Sequence, residues 1–393
     1  MKILHIVPSY LPAYGYGGPI QSVHSLNKWL VKKGADVTVY TTNINGRETL
    51  DVPLGREIPV DGVKVFYFPV SFPRFWIYSR ALRKALEENI KEFDMVHITS
   101  VFLAASALGA CYANKSKKPY IISPRGSLMK EPLARKSNFK KWLYLNLVEK
   151  KNLAGAAAIH FTAEAEKKEY LAAGLPLKSS FIIPNGIELD EFGGKSAPKF
   201  SREKFGISPD RKIILSLGRL NWKKGFDTLI PAFKRVLAEE PKAILVIAGG
   251  DEDNYEKQIR GFIAKNDLKN GKDVVFTGML ADGEKTAAFG DSSVFVLPSY
   301  SENFGMAAME GAYGTAVVVT PEVGISPYVE KYGAGMVIEK DEKKFAEAIL
   351  KVLKNPDLKK QFKAKGREMI QKEFSMDKVA EAMLAEYNKI LKN

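Results

Sequence analysis

The chain has 393 residues and is 46% hydrophobic and 26% charged, a globular mix too long for one core and suited to two domains. Its single cysteine, Cys111, excludes an intramolecular disulfide and, set among small apolar residues, reads as core packing in a reducing compartment. A formal net charge of +14 favours anionic partners (nucleotide phosphates, nucleic acid, anionic lipid, acidic glycans) without choosing among them.

The first stretch, MKILHIVPSYLP, is a short apolar run broken by proline with no small-residue cleavage site, so it reads as a strand and not a signal peptide. The turn after it, PSYLPAYGYGGPIQ, bunches Gly15, Gly17 and Gly18. It lacks the G-x-G-x-x-G spacing of a dinucleotide site, yet bare backbone there allows a bulky ligand close approach; a plain loop is the equal alternative. A helix over GPIQSVHSLNKWLVKKG ends at Gly34, and DVTVYTT, KVFYFPV, MVHITS and PYIIS follow as strands. The most apolar long stretch, HITSVFLAASALGACYA, is too short for a bilayer span of about 20 residues and reads as a strand end and a core helix. FPRFWIYSRALRKAL (72–86) and the segment 129–155 mix Lys and Arg with aromatic and aliphatic residues, among them Lys136, Lys140, Lys141 and Trp142. Such segments suit an anionic membrane surface or a lipid-linked acceptor, and equally a packed amphipathic helix.

AAIHFT and SFIIPNG close the first half, and a join rich in Gly, Pro and Ser lies at 182–210. The pattern then restarts. KIILSLG, AILVIAG, VVFTG, VFVLPS, AVVVT and GMVIE are strands, with helices over GFDTLIPAFKRVLAEEP, NYEKQIRGFIAKND, DGEKTAAFG and FGMAAMEGAYG between them. Two such alternating blocks predict an α/β chain of two doubly wound domains, with ligands at the carboxyl ends of the strands and chemistry in the cleft between domains. The tail reads as two helices meeting near Glu373–Ser375.

Two turns of the second half carry chemistry. In ILSLGRLNWKKGFDTLI, Arg219 follows Gly218 at a strand end and Lys224 precedes Gly225 at a helix start. An arginine fork and a lysine point charge at one turn suit a diphosphate, or are ordinary surface charge; the G-x4-G-K-[ST] pattern of a P-loop is missing. In PSYSENFGMAAMEGAYG, Glu302 precedes a helix starting near Gly305 and Glu310 lies about one and a half turns into it, with no basic partner nearby in the stretch. Carboxylates at that place can hold ligand hydroxyls, and together with the two cations they describe a nucleotide diphosphate sugar. Among the histidines, His5 and His24 read as structural, while His97, placed at a strand end facing the cleft, and His160 are weighed as substrate contacts. No spacing resembles a zinc site, and GGDEDN (249–254) reads as a loop and not as a dedicated metal site.

At this point the sequence resembles the retaining GT-B glycosyltransferases of the group-1 type, glycosyltransferase family 4, over nearly the whole chain. The resemblance rests on E-x7-E as Glu302–Glu310, on GRLNWKKGFDTLIPAF, on IPNGIELDEF and on GGPIQSVHSLNKWLVKKGADVTVYTT. It implies a GT-B fold of two Rossmann-like domains facing across a cleft. Residues 1–188 would bind the acceptor, joined by a last helix, 375–393, that crosses back; residues 189–374 would bind the donor. It also implies roles. Glu310 would hold the ribose and Glu302 the transferred sugar. Arg219 and Lys224 would neutralise the leaving diphosphate beside Gly218, and backbone groups of Asn303, Phe304, Gly305 and Met306 would assist. Gly17 and Gly18 would close from the first domain. The mechanism implied is front-side attack with retention, the proton passing to a donor phosphate oxygen and no enzyme nucleophile taking part. No cofactor or metal is required beyond the nucleotide sugar.

One departure stands out. Where many members carry histidine after the strand corresponding to PYIIS, this chain reads SPRGSL, with Arg125 in that place. A fixed cation there would read a donor carboxylate or phosphate, or hold the acceptor, so Arg125 joins the catalytic and acceptor-binding candidates with His97. Partners expected are a nucleotide sugar, a saccharide or lipid-linked acceptor and an anionic membrane surface, not nucleic acid. The place expected is the cytoplasm, peripheral to the inner face of the membrane. A nucleotide-sugar epimerase or phosphorylase of the same fold is the enzymatic alternative, and a polyanion binder the non-enzymatic one.

Overall fold

The computed structural model describes residues 1–13, 18–71, 74–134, 138–192, 200–251 and 254–392. Its contacts divide the chain into two compact units, Met1–Gly186 with Met376–Asn393, and Ile187–Ser375.

In the first unit the strands are β1 (Lys2–Ser9), β2 (Asp36–Thr42), β3 (Ile44–Asn45), β4 (Glu48–Thr49), β5 (Glu57–Val60), β6 (Val63–Phe68), β7 (Met95–Thr99), β8 (Tyr120–Ser123), β9 (Ala158–Phe161) and β10 (Ser180–Ile182). Eight of them form one sheet in the order β10-β9-β8-β7-β1-β2-β6-β5. Every pairing in it is parallel except β5 with β6. Parallel strands need cover on both faces, and β1 shows how the sequence supplies it. Alternate residues go to opposite sides: Ile3 and Val7 join a core with Val23, Leu26 and Leu30 of the helix Gly18–Lys32 and with Met376, Val379 and Met383 of the helix Met376–Lys392. Leu4 and Ile6 join the other core with Leu82, Leu86 and Tyr112.

Cys111 corrects an expectation: it is exposed. On the helix Ala104–Lys115 the core face is taken by Ala105, Ser106, Gly109, Ala110, Tyr112 and Ala113, and Cys111 falls outside it. Gly109 is held there by contact, since a Cβ on it would lie 2.4 Å from Ile6 Cδ1 of β1.

The second unit is a purely parallel sheet of β11 (Lys212–Leu217), β12 (Ala243–Ala248), β13 (Val274–Gly278), β14 (Val294–Leu297), β15 (Val317–Val319) and β16 (Gly335–Val337). The order is β13-β12-β11-β14-β15-β16, so the chain winds one way from β11 and returns to continue the other way from β14. That reversal leaves a crevice at the carboxyl ends of β11 and β14, where open sheets bind ligands. Beneath it the core is dense: Phe226, Leu229, Ile230 and Phe233 of the helix Phe226–Glu239 pack with Phe345 and Ile349 of the helix Glu342–Leu353. Among the described residues no helix is long and apolar enough to cross a membrane.

Candidate functional site

The sequence candidates of the second half gather at the β11/β14 reversal. β11 ends at Leu217; Gly218 and Arg219 follow, with the Arg219 side chain exposed. The chain then makes a short turn, Trp222–Lys224, capped in front by Asn221, whose side chain accepts a hydrogen bond from Lys223 N at 3.0 Å. Gly225 ends the turn in the left-handed region, φ 70°, and starts the next helix. This sends the Lys224 side chain back over the strand end: a Cβ on Gly218 would lie 3.0 Å from Lys224 Cε and Nζ. Gly218 therefore keeps the space that the lysine occupies.

On the β14 side, Glu302 is clamped by its backbone, donating to Glu322 O at 3.0 Å and accepting from Gly324 N at 3.2 Å. Gly305, at φ 90°, turns the chain into the helix Met306–Gly314. Ala308 and Met309 are the first N–H groups to bond Gly305 O, so the donors ahead of them stand outside the helical ladder, as Asn303 to Met306 would need to assist an anion. The Phe304 ring is buried, 5.4 Å from that of Phe374, so only its backbone remains as a candidate contact.

The expectation that the two glutamates lack a basic partner is corrected. Lys224 Nζ donates to Glu302 Oε1 at 2.5 Å, with the side chains 13% and 21% exposed. Lys285 Nζ donates to Glu310 Oε1 at 2.9 Å, with the side chains 17% and 12% exposed. Sequence distance hid both pairs: each partner sits on a different βα segment, and only the sheet order makes them neighbours. The two loops are also stitched directly, Tyr300 donating from N to Lys223 O at 2.7 Å and from Oη to Asp227 Oδ2 at 2.5 Å. Lys285 and Tyr300 carried no sequence signal, since each reads as an ordinary helix or loop residue.

In the first unit Arg125 follows β8 directly and adopts φ 53°, a left-handed conformation unusual for a side chain of its size. Its Nη1 donates to Asn185 Oδ1, while its buried Nε has no hydrogen-bond partner. Ser22, His160, Asn185, Met376 and Met383 line a small cavity with it. The turn is anchored by Glu166, which accepts from Gly126 N at 2.5 Å and from Thr162 N at 2.8 Å. Burial lowers the pKa of the Arg125 guanidinium, and the Glu166 carboxylate acts against that shift.

His97 is corrected on position and setting. It is the third residue of β7, not a strand end, and is fully buried. His160 Nε2 donates to Ile183 O at 2.8 Å, which leaves its Nδ1 to accept from Ser123 Oγ at 2.6 Å. Ser123 in turn accepts from His97 Nε2 at 2.7 Å, and His97 Nδ1 accepts from Tyr387 Oη at 2.6 Å. His5 stacks on His97 at 4.2 Å. All three histidines have pKa values lowered chiefly by burial, which keeps the chain neutral, so they tie β1, β7 and β9 to the helix Met376–Lys392. With both nitrogens engaged, His97 and His160 serve the core and are not surface contacts. His24 is structural as expected, bonded to Tyr10 at 2.9 Å and Asp61 at 2.8 Å.

Gly17 and Lys136 lie outside the described residues, as do Glu252 and Asp253 of the GGDEDN loop. Asp251 of that loop caps a helix, accepting from Tyr255 N at 2.7 Å. Among the described residues no group of three or more His, Cys, Asp or Glu is placed to hold a metal ion.

Comparison with known proteins places this geometry in a class. Residues 198–369 match the profile described as glycosyl transferases group 1, and residues 16–191 that of glycosyltransferase family 4. The chain therefore carries glycosyltransferase domains in both halves and is a glycosyltransferase of the group 1 type with a GT-B fold. More particularly, it is 25% identical to an uncharacterized glycosyltransferase of Methanocaldococcus jannaschii, over 98% of each chain. It is 26% identical to the alpha-monoglucosyldiacylglycerol synthase of Streptococcus pneumoniae, over 81% of this chain and 70% of that one. Among solved structures, Anabaena HepE in complex with UDP and glucose superposes with a TM-score of 0.77 at 16% identity, covering 99% of this chain and 100% of that one, a likeness of fold.

Proposed function

We propose that the second unit binds a nucleotide diphosphate sugar and that the protein transfers its hexose, with retention, to a hydroxyl acceptor in cell-surface polysaccharide or glycolipid assembly. The observation that carries this reading is the convergence of Arg219, Lys224, Glu302 and Glu310 on the crevice at the β11/β14 reversal. Arg219 and Lys224 stabilise the negative charge that grows on the diphosphate as it leaves. Glu302 accepts hydrogen bonds from the sugar and Glu310 from the ribose. The bond from sugar C1 to the diphosphate breaks as the acceptor oxygen bonds to C1 on the same face, and the acceptor proton passes to the departing phosphate oxygen. Contacts around Gly278–Leu280 choose the base. The site's cations serve in place of a metal.

Arg125 reads an anionic group on the donor or acceptor, which its unpartnered Nε suits. A calorimetric panel of UDP, GDP, ADP and their sugars, followed by transfer assays, tests the whole reading: one diphosphate family should bind at micromolar to submillimolar levels. Failure of every nucleotide to bind would end it. In the same assays Arg125→His should change donor or acceptor preference by about tenfold, as expected for one charge-assisted contact; an unchanged preference would remove Arg125 from the site.

The acceptor is lipid-linked on this reading, and the protein is peripheral to the cytoplasmic face of the membrane. Support comes from the helical stretch 138–155, where Trp142 is 58% and Leu147 67% exposed beside Lys141, and from the glycolipid named for the Streptococcus pneumoniae relative. Trp142→Ser with Leu147→Ser should weaken sedimentation with phosphatidylglycerol vesicles by about tenfold, given the apolar area removed. Wild-type protein that ignores such vesicles would contradict the membrane part alone.

A further inference from the structure

Resting on that reading of the site, we infer that Lys285 is a positioning residue that sets the preference for ribose in the nucleotide. It lies on the helix Asp282–Asp291, in the fourth position, and Glu310 lies fifth on the helix Met306–Gly314. Both helices start at the carboxyl edge of the sheet, so both side chains sit about one turn below the crevice, at ~1.5 Å per residue. The ion pair is mostly withdrawn from water but not sealed, the side chains being 17% and 12% exposed. Lys285 takes Glu310 Oε1 at 2.9 Å, and among the described residues no donor is hydrogen bonded to Oε2.

A carboxylate held by one oxygen and open at the other is an oriented acceptor. A free glutamate would spread over several rotamers and lose that orientation on each binding event. The lysine removes this loss and holds the carboxylate in one orientation, so Oε2 is ready for a sugar hydroxyl. The same arrangement penalises a nucleotide lacking that hydroxyl, which would cover the carboxylate without satisfying it. A stabilising role alone would be a weak use of the pair, because a partly buried lysine–glutamate contact contributes little over apolar packing of the same volume.

The test is binding of a ribonucleoside diphosphate against its 2′-deoxy and 3′-deoxy forms by calorimetry, with the full-length protein. Wild type should prefer the ribose form over at least one deoxy form by about tenfold or more, as a charge-assisted hydrogen bond implies. Lys285→Met should bring that ratio below about threefold, Lys285→Arg should keep it, and Lys285→Gln, which retains a neutral donor if the methionine variant fails to fold, should fall between. An unchanged ratio in Lys285→Met or Lys285→Gln overturns the inference, as does weaker binding of ribose and deoxy forms by the same factor, which would mean that Lys285 touches the nucleotide itself. Equal binding of ribose and deoxy forms by wild type also overturns it while leaving donor binding intact. Absence of nucleotide binding by wild type would instead remove the reading on which it rests.

Discussion

Lys224→Met is expected to lower kcat/KM by about 10²–10³-fold with little change in melting temperature, the loss typical of one group aimed at charge that develops in the transition state. The side chain is 13% exposed and folded over Gly218, so its removal opens no core. Part of the loss has a second origin: without the lysine, the Glu302 carboxylate loses the one cation that faces it among the described residues and stays partly enclosed. Lys224→Met and Glu302→Gln should therefore be sub-additive in a double-mutant cycle, the pair costing less than the product of the singles. Steady-state kinetics of the four proteins decide it. Activity of Lys224→Met within about threefold of wild type would take the lysine out of catalysis.

Gly225→Ala should be strongly damaging for so small a substitution, destabilising by about 3 kcal/mol or more. The position has φ 70°, and an added Cβ would meet Pro298 O at 1.9 Å, a backbone atom that cannot swing aside. Relief needs the Pro298–Tyr300 segment to move, and Tyr300 is bonded to Lys223 and Asp227 on the same turn. The strain thus reaches Lys224 and Glu302, and activity should fall with stability. A melting temperature lower by on the order of 10 °C is expected, by calorimetry or fluorescence. Gly261→Ala is the control, since a Cβ there meets nothing within 4 Å, and it should leave the protein as stable or slightly more so. Equal melting of the two variants would show that the close approach at Gly225 is unimportant.

The fold was legible because parallel strands enclosed on both faces are written as unbroken apolar runs. AILVIA of β12 is buried at every position, and KILHIV of β1 at all but its first, so runs of that length between amphipathic stretches name a doubly wound sheet. The small antiparallel parts were not read, because β5, EIPV, is exposed or half-buried and β3 and β4 have two residues each. Within the site, the residues at strand and helix ends were legible and their pairings were not. Lys224 and Glu302 come together only because β11 and β14 are neighbours, a fact about strand order that no local pattern holds. His97 misled for a related reason: its place in the middle of β7, opposite His5, is a matter of register. Cys111 misled because a run of small residues does not say which of them a helix turns inward.

The Lys224–Glu302 contact also bears on what the resting protein refuses. If the ammonium serves a diphosphate, an arriving simple anion must pull it from the carboxylate and leave that carboxylate stranded. A ligand bearing phosphate at one end and hydroxyls at the other repairs both halves of the broken contact at once. The closed pair then acts as a two-key lock, opened by a molecule with both chemical ends and kept shut against the free phosphate that crowds any cell.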